Sequence, residues 1–262
     1  MNDILSLYDP ITLDEMSGIR LMNRTDTKFV TTKSMLRQLL LMAKDDYRAQ
    51  EIAGERIAPY YTVYFDTPDC AMYRRHETGH TNRQKLRIRS YVNSGLNFLE
   101  VKTKNNHGRT GKKRITMNGF DPLCPQHDIA FTQHNGDYEL YDEFLTDNLG
   151  YDPALLTEKV ENHFNRITLV NKMKTERLTI DFDLAFDNIS NGCHQEMGNI
   201  VIVELKRDGL QPSPILRHLT TLGIKPMGFS KYLIGSALTD DTLRRNRIKP
   251  RLRMIAKMMG QS

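Results

Sequence analysis

The chain of 262 residues can bury a large core, and its 37 Lys and Arg against 32 Asp and Glu give a formal net charge of +5. This charge favours an anionic partner, but both signs are mixed throughout, unlike the single-sign tails of many nucleic-acid binders. The three cysteines fit neither a zinc motif nor a disulfide framework. Without a signal peptide or an apolar stretch that could span a bilayer, we expect a soluble cytoplasmic protein.

The first part of the chain predicts a strand, a helix and a second strand. Residues 24–30 alternate between polar and apolar positions, as expected for a strand with one exposed face. Residues 32–44 place apolar side chains at helical spacing behind a capping threonine or serine. Residues 60–66 are rich in aromatic and β-branched residues and predict a strand that ends at a Thr-Pro pair.

Residues 85–104 predict an antiparallel hairpin with one apolar face and one strongly basic face. Both arms alternate, and the Asn-Ser-Gly sequence between them has turn chemistry. A solvent-facing edge hairpin is the simplest interpretation, whereas a cavity filled by an anion is the more specific one. The charged positions are Lys85, Arg87 and Arg89 in the first arm and Glu100, Lys102 and Lys104 in the second.

The second half continues with strands and short helices. Residues 112–117 alternate, but the sequence does not say which of Lys112, Lys113 and Arg114 faces inward. Strands are predicted at 162–169, 177–186 and 200–206, and helices at 138–149, 153–160, 214–222 and 231–238.

The strand count favours one domain over residues 1–262. Its core is an antiparallel sheet of about eight strands between about residues 20 and 240, with helices outside. The basic tail, residues 241–262, is expected to be a solvated amphipathic helix broken at Pro250, with binding to an acidic membrane or to polyphosphate as the alternative.

Five predicted strands carry two or more ionisable groups on a single face. If these faces point to water, the protein is an ordinary α+β domain, and if the sheet closes, they line a cavity. Such a cavity must stay wet and bind an anion, because desolvated cations repel one another. Many cations with few carboxylates suit a phosphate chain with a divalent metal. Periodicity leaves both arrangements open. The faces are Arg24/Asp26/Lys28, Lys85/Arg87/Arg89, Glu100/Lys102/Lys104, Arg177/Asp181/Asp183 and Glu204/Lys206.

Seven short motifs, in order from about residue 24 to 238, resemble the VTC domain. This is the catalytic domain of the vacuolar transporter chaperone polyphosphate polymerase, in the CYTH-like triphosphate tunnel metalloenzyme superfamily. The resemblance implies an α+β fold with a closed antiparallel eight-stranded β tunnel, a charged interior and flanking helices. The motifs are Arg-Thr-x-x-Lys-Phe-Val, Tyr-Phe-Asp-Thr, Leu-Arg-Ile-Arg-x-Tyr, Glu-Val-Lys, Arg-Leu-Thr-Ile-Asp, Val-Glu-Leu-Lys and Phe-Ser-Lys-Tyr.

The resemblance also implies a set of site residues. Glu204 matches the metal-binding glutamate, while Glu100 is either a second metal contact or a salt-bridge partner of Arg87 or Arg89. We assign the family's next basic position to Arg114, and Lys85, Lys104 and Lys206 join the phosphate-binding set. Asp181 and Asp183 are expected to pair with neighbouring arginines. The residues expected both to bind phosphate and to support catalysis are Lys28, Arg87, Arg89, Lys102, Arg166, Arg177 and Lys231.

The function implied is transfer of the ATP γ-phosphate onto a polyphosphate chain, with Mn²⁺ or Mg²⁺. Expected partners are ATP or another nucleoside triphosphate and inorganic polyphosphate or pyrophosphate. A tripolyphosphatase or nucleoside triphosphatase, or a non-catalytic polyphosphate-binding module, is the alternative. Hydrolytic tunnel enzymes begin with Glu-x-Glu-x-Lys, and the register here reads Arg24-x-Asp26-x-Lys28, which fits the VTC branch. Nucleic acid is not expected, because aromatic residues do not interleave with the basic strand positions.

Overall fold

The computed structural model describes residues 1–17, 24–106, 110–118, 120–122, 138–209 and 211–260. Its strands are β1 (Asp9–Ile11), β2 (Arg24–Thr32), β3 (Tyr47–Gln50), β4 (Ala58–Asp66), β5 (Arg83–Tyr91), β6 (Leu96–Lys104), β7 (Thr110–Thr116), β8 (Thr157–Asn171), β9 (Glu176–Asn188), β10 (His194–Glu196) and β11 (Ile200–Asp208). Its α-helices are α1 (Asn2–Leu5), α2 (Leu13–Ser17), α3 (Lys33–Ala43), α4 (Ala71–Glu77), α5 (Tyr138–Asn148), α6 (Pro214–Thr221), α7 (Lys231–Thr239) and α8 (Lys249–Met259).

Eight strands form one antiparallel path in the order β2-β11-β9-β8-β4-β5-β6-β7. The strands β1, β3 and β10 pair at its margins. This confirms the α+β class and the eight antiparallel strands. Within the described residues, β2 and β7 are the two ends of the path, yet residues from both line one cavity. The sheet is therefore curled around that cavity.

The convex face of the sheet is apolar and packs against helices. Leu36, Leu39 and Leu40 of α3 join residues of β8, β9 and β11 in one buried cluster. The apolar face of the β5–β6 hairpin, including Leu86 and Leu99, packs in a second cluster with residues of α4, α5 and α7. The hairpin is thus covered on its apolar side, as the tunnel arrangement requires.

Helix α7 closes one end of the curled sheet. Ser230 caps it by accepting a hydrogen bond from the backbone N–H of Leu233, which leaves Lys231 at its first position. A Cβ built on Gly235 would lie 2.3 Å from the ring of Phe186, so only glycine lets the helix approach β9 this closely.

Two predicted elements are wrong. Residues 153–160 do not form a helix, because a short 3-10 turn (Pro153–Leu155) leads directly into β8. There, pairing with both β4 and β9 overrides the helical preference of the local Glu and Lys residues. The C-terminal tail is not a solvated helix broken at Pro250, because α8 begins at Lys249 with the proline in its first turn and buries Ile255.

Asp183 lies in a β-bulge of β9, where the register with β8 shifts between Phe182 and Ala185. Asp183 has a φ of +52° and its carboxylate lies 2.6 Å from Lys33 Nζ. The two aspartates therefore do not share the face that simple alternation predicted, and Asp183 pairs with a lysine rather than an arginine. No described helix is long and apolar enough to cross a membrane.

Candidate active site

A cavity of about 630 Å³ lies on the concave face of the sheet. Among the described residues, twelve Lys and Arg line it, against two carboxylates, Asp26 and Glu204. Such an excess of positive charge requires an anion of several charges, since nearby cations in a partly dry cavity repel one another. The predicted basic residues that reach this cavity are Lys28, Lys85, Arg87, Arg89, Lys102, Arg166, Arg177, Lys206 and Lys231.

Strand register explains why these side chains converge. On the hairpin, Lys85 lies opposite Lys102 and Arg87 opposite Glu100, so all four share one face. On the other side of the cavity, Lys28 of β2 lies opposite Glu204 of β11. Curling of the sheet brings these two faces toward each other.

Glu100 is the buried counter-ion of the hairpin. Its side chain has no exposed surface, and one oxygen, Oε2, accepts from Arg87 Nε at 2.7 Å and Nη2 at 2.5 Å. The other oxygen, Oε1, lies 2.8 Å from Lys112 Nζ. Burial would raise the pKa of Glu100, but Arg87 and Arg89 lower it to about 2. Both oxygens therefore contact cations, as the salt-bridge alternative describes, and Glu100 is not among the described residues that line the cavity, so we do not assign it as a metal ligand.

A second buried carboxylate, Asp181, organises the opposite wall. Arg166 donates to it from Nε at 2.6 Å and from Nη2 at 2.8 Å, and Lys231 donates to the same group. The predicted pairing of Asp181 with an arginine is confirmed. Burial lowers the pKa of Lys231 to about 7 even though Asp181 opposes this shift. Lys231 can therefore take up a proton when an anion arrives.

Glu204 has a different environment from these two carboxylates. Its oxygens lie 3.8 Å from Lys28 Nζ and 3.5 Å from Lys206 Nζ, beyond good hydrogen-bond length. Burial would raise its pKa, but Lys28 and Lys206 hold the pKa well below its usual range. Glu204 is thus an ionised carboxylate facing the cavity without a short contact to its cations.

Arg89 is a buried cation that forms no salt bridge with a carboxylate among the described residues. Only 8% of its surface is exposed, and its Nε is buried with no hydrogen-bond partner. Its Cζ lies 5.9 Å from the centre of the Tyr60 ring, a weak cation–π contact. Burial, with Arg87 and Arg166 nearby, lowers the pKa of its guanidinium. A buried donor of this kind needs an acceptor from a ligand or from water.

Comparison with protein families identifies the domain. The VTC domain family profile matches residues 23–239. The chain belongs to the VTC domain family. A proposed adenylate cyclase from Bacillus halodurans shares the fold with 14% identity and a TM-score of 0.52, over 80% of this chain and 96% of that one. A proposed adenylyl cyclase from Hippeastrum, described as having a dominant triphosphatase activity, shares 17% identity with a TM-score of 0.50, over 84% and 97%. Comparison with curated protein sequences gave no match.

Two predicted phosphate-binding residues of this VTC domain do not reach the cavity. Arg114 shares the face of Glu100, but its Cζ stacks 4.3 Å from the centre of the Phe98 ring. Lys112, which lies opposite Lys102, takes the inward position instead. Lys104 at the end of β6 does not line the cavity either. The side chain of Arg24 lies outside the described residues.

The VTC domain cavity also contains residues that sequence reasoning missed. Arg83 continues the alternation of β5, so extending the charged face by one position would have found it. Arg251 comes from α8, beyond the family match, in the basic tail for which polyphosphate binding is the alternative, but the sequence does not single out this residue. Tyr64 and His76 also line the cavity.

The carboxylates of this VTC domain fit a hard divalent cation. Mg²⁺ and Mn²⁺ prefer oxygen ligands, and Mg²⁺ is commonly held by one or two carboxylates together with substrate phosphates. Glu204 and Asp26 are the carboxylates among the described residues that line the cavity. Asp26 of β2 lies opposite Lys206 of β11, which follows Glu204 by two residues on the same strand. Glu204 is the better candidate, because it lacks short protein contacts and is held ionised.

Proposed function

We propose that this VTC domain protein is a metal-dependent phosphotransferase that moves the γ-phosphate of ATP onto a polyphosphate chain. The observation that carries this proposal is the cavity itself, with its twelve Lys and Arg residues and two carboxylates. Membership of the VTC domain family supports the same conclusion. Inorganic polyphosphate or pyrophosphate would be the acceptor, and another nucleoside triphosphate could replace ATP.

The arginines of the cavity would bind and align the phosphates. A planar guanidinium can donate two parallel hydrogen bonds to one phosphate, which fixes its orientation. Arg87 and Arg166 are themselves held in place by Glu100 and Asp181, so little side-chain freedom is lost on binding. The four arginines assigned this role are Arg87, Arg89, Arg166 and Arg177.

The lysines would neutralise charge on the transferred group. Lys28 donates to the carbonyl oxygen of Phe229 at 3.1 Å, and Lys85 donates to the Ser230 hydroxyl at 2.7 Å, so both are positioned beside the start of α7. Lys231, with a pKa of about 7, would be charged in the presence of phosphate. The phosphate acceptor is already ionised, so phosphoryl transfer here needs no general base and depends on positioning and electrostatic stabilisation.

A divalent ion, Mn²⁺ or Mg²⁺, would be held by Glu204 and would supply charge neutralisation between neighbouring phosphates. Lys28 and Lys206 keep that carboxylate ionised and oriented at the cavity wall. Their longer contacts leave its oxygens accessible to a further ligand.

Product analysis with purified protein, ATP and Mn²⁺ tests the proposal. We expect a ladder of polyphosphate on a gel together with stoichiometric ADP. Orthophosphate without a ladder would instead establish a triphosphatase, the activity described for the Hippeastrum neighbour. Tight tripolyphosphate binding with no product of either kind would establish a binding module.

A further inference from the structure

A second set of metal-ligating side chains lies on three adjacent strands. Glu161 and His163 are on β8, and Asp187 is on β9 directly opposite Glu161. One ligand atom from each of the three lies within 4.8 Å of the others. His163 Nε2 is 3.9 Å from Glu161 Oε2 and 3.9 Å from Asp187 Oδ2. The imidazole thus stands between two carboxylates.

Strand β10 adds a second imidazole to this group. His194 lies opposite Asp187 in the β9–β10 ladder, and its Nδ1 is 2.6 Å from Asp187 Oδ1. Its Nε2 lies 3.8 Å from Glu196 Oε1. Asp187 thus has an imidazole on each of its two oxygens, His163 at Oδ2 and His194 at Oδ1, so the donors are mixed rather than purely acidic.

This cluster is separate from the phosphate cavity. Val160 and Phe186, the sequence neighbours of Glu161 and Asp187, belong to the buried cluster that includes Ile234 of α7. Because successive strand residues face opposite sides, Glu161, His163 and Asp187 face outward. None of these three lines the cavity.

The inner part of the cluster is held in place by an aromatic residue. The rings of Tyr61 and His163 are 4.7 Å apart, centre to centre. The buried Tyr61 hydroxyl also hydrogen-bonds to Glu161. The Glu161 side chain is only 17% exposed, whereas His163 and His194 are about half exposed. Tyr61 and the largely buried Glu161 therefore form the inner side of the site, and the half-exposed His163 and His194 form its outer side.

We propose that His163, Asp187, Glu161 and His194 form a binding site for a divalent transition metal of the zinc class. Imidazole nitrogen with carboxylate oxygen is a donor set that favours Zn²⁺ over Mg²⁺ or Ca²⁺. In a tetrahedral zinc site, ligand atoms are separated by about 3.4 Å. The two distances from His163 Nε2 to the carboxylate oxygens are 3.9 Å, so binding requires only a small approach of these side chains. The ion would join β8, β9 and β10 and stabilise this end of the sheet.

Zinc chloride titration of the full chain tests the site. We expect saturable binding of one Zn²⁺ by calorimetry and a rise in Tm of roughly 5 °C at a hundred times Kd. Co²⁺, used in place of Zn²⁺ as a spectroscopic probe, should give the visible absorption that is typical of an ion with a low coordination number. Changing His163→Ala together with His194→Ala should weaken Zn²⁺ binding at least tenfold and abolish that absorption.

Two matched variants separate this site from other zinc ligands. His218→Ala removes another imidazole that contacts an aspartate, Asp46, at 3.2 Å. Cys193→Ser removes the neighbouring exposed thiol. Both variants should bind Zn²⁺ like the unmodified protein.

Absence of saturable binding, or binding that survives the double histidine change, overturns the proposal. A result that depends on Cys193 but not on the histidines also overturns it. If the double variant does not fold, carbethoxylation of the histidines in the unmodified protein is the alternative test. We expect Zn²⁺ to protect His163 and His194 from modification. Equal modification of these two histidines with and without Zn²⁺ would reject the site.

Discussion

The arginines of the cavity differ in whether they form a salt bridge with a buried carboxylate. Arg87 has Glu100 and Arg166 has Asp181, and in each pair the carboxylate raises the guanidinium pKa against the effect of burial. Arg89 forms no salt bridge with a carboxylate in the described part of the chain, feels Glu100 only at longer range, and its Nε lacks a hydrogen bond. Removing one member of a buried ion pair leaves an uncompensated charge, whereas removing an unmatched cation relieves repulsion. The two neighbouring arginines should therefore respond differently to substitution.

We expect Arg89→Leu to raise the free energy of unfolding of the ligand-free protein by about 1 kcal/mol. Arg87→Leu should lower it by about 2–4 kcal/mol, because the buried Glu100 would lose its two hydrogen bonds from Arg87 and keep its short contact to Lys112. Both changes should weaken tripolyphosphate binding at least tenfold. Urea unfolding and calorimetric titration measure the two quantities. Equal destabilisation by both substitutions would contradict the assignment of Arg89 as unmatched.

Glu204 is the residue whose loss should separate binding from turnover. Glu204→Gln keeps the size of the side chain but removes the negative charge that would hold the divalent ion. We expect turnover to fall at least a hundredfold, while tripolyphosphate still binds in the absence of metal. Glu143→Gln, on the exposed surface of α5, is the matched control and should keep full activity. Unchanged turnover in Glu204→Gln would exclude its metal role.

At the scale of elements, helix α8 contributes directly to the cavity. Ile248 and Ile255 are buried on either side of the segment that carries Arg251. The guanidinium of Arg251 approaches Gly228, which also lines the cavity. The basic C-terminal segment is therefore part of the anion-binding wall, although it lies beyond the family match.

Arg251→Ala should weaken tripolyphosphate binding about five- to tenfold, equivalent to roughly 1–1.4 kcal/mol for one charged contact. Arg253→Ala, two residues away on the exposed side of the same helix, should leave affinity unchanged. Both proteins should unfold at nearly the same urea concentration, because neither change removes a buried apolar group. Equal affinities in calorimetric titrations would show that Arg251 does not contact the ligand.

The face of the hairpin can be predicted from the sequence, whereas the position of α8 cannot. Strand alternation places Lys85, Arg87 and Lys102 on one face, whichever strands pair with the hairpin. The docking of α8 depends on burial of Ile255 against distant strands, which local periodicity does not encode. The inward position of Lys112 depends on register with β6, and the outward turn of Asp183 depends on a bulge.

For the whole molecule, the concentrated positive charge has an energetic cost in the absence of ligand. Of the 37 Lys and Arg residues, twelve line one cavity, while the formal net charge of the chain is only +5. Desolvation and mutual repulsion lower the pKa of buried lysines, most clearly Lys231 and Lys85. A polyanion would reverse both effects, so binding, proton uptake and stability are linked.

The stability of the ligand-free protein should therefore rise between pH 7 and 8.5. Lys231 has a pKa of about 7 when folded and an ordinary value of 10.5, so the unfolded chain binds more protons throughout this interval. Unfolding then becomes less favourable as pH increases, by about 1–2 kcal/mol over the interval for this group. Lys231→Met should reduce the rise, while Lys172→Met, at an exposed position, should not.

Urea unfolding at pH 7 and 8.5, with and without tripolyphosphate, checks this linkage. Saturating tripolyphosphate supplies negative charge beside Lys231 and restores its proton. The ligand should therefore stabilise the protein more at pH 7 than at pH 8.5, and the pH dependence should flatten or reverse. A ligand-free protein whose stability falls across this interval would show that the buried lysine stays charged. The cavity would then hold its cations without the repulsion inferred from their burial.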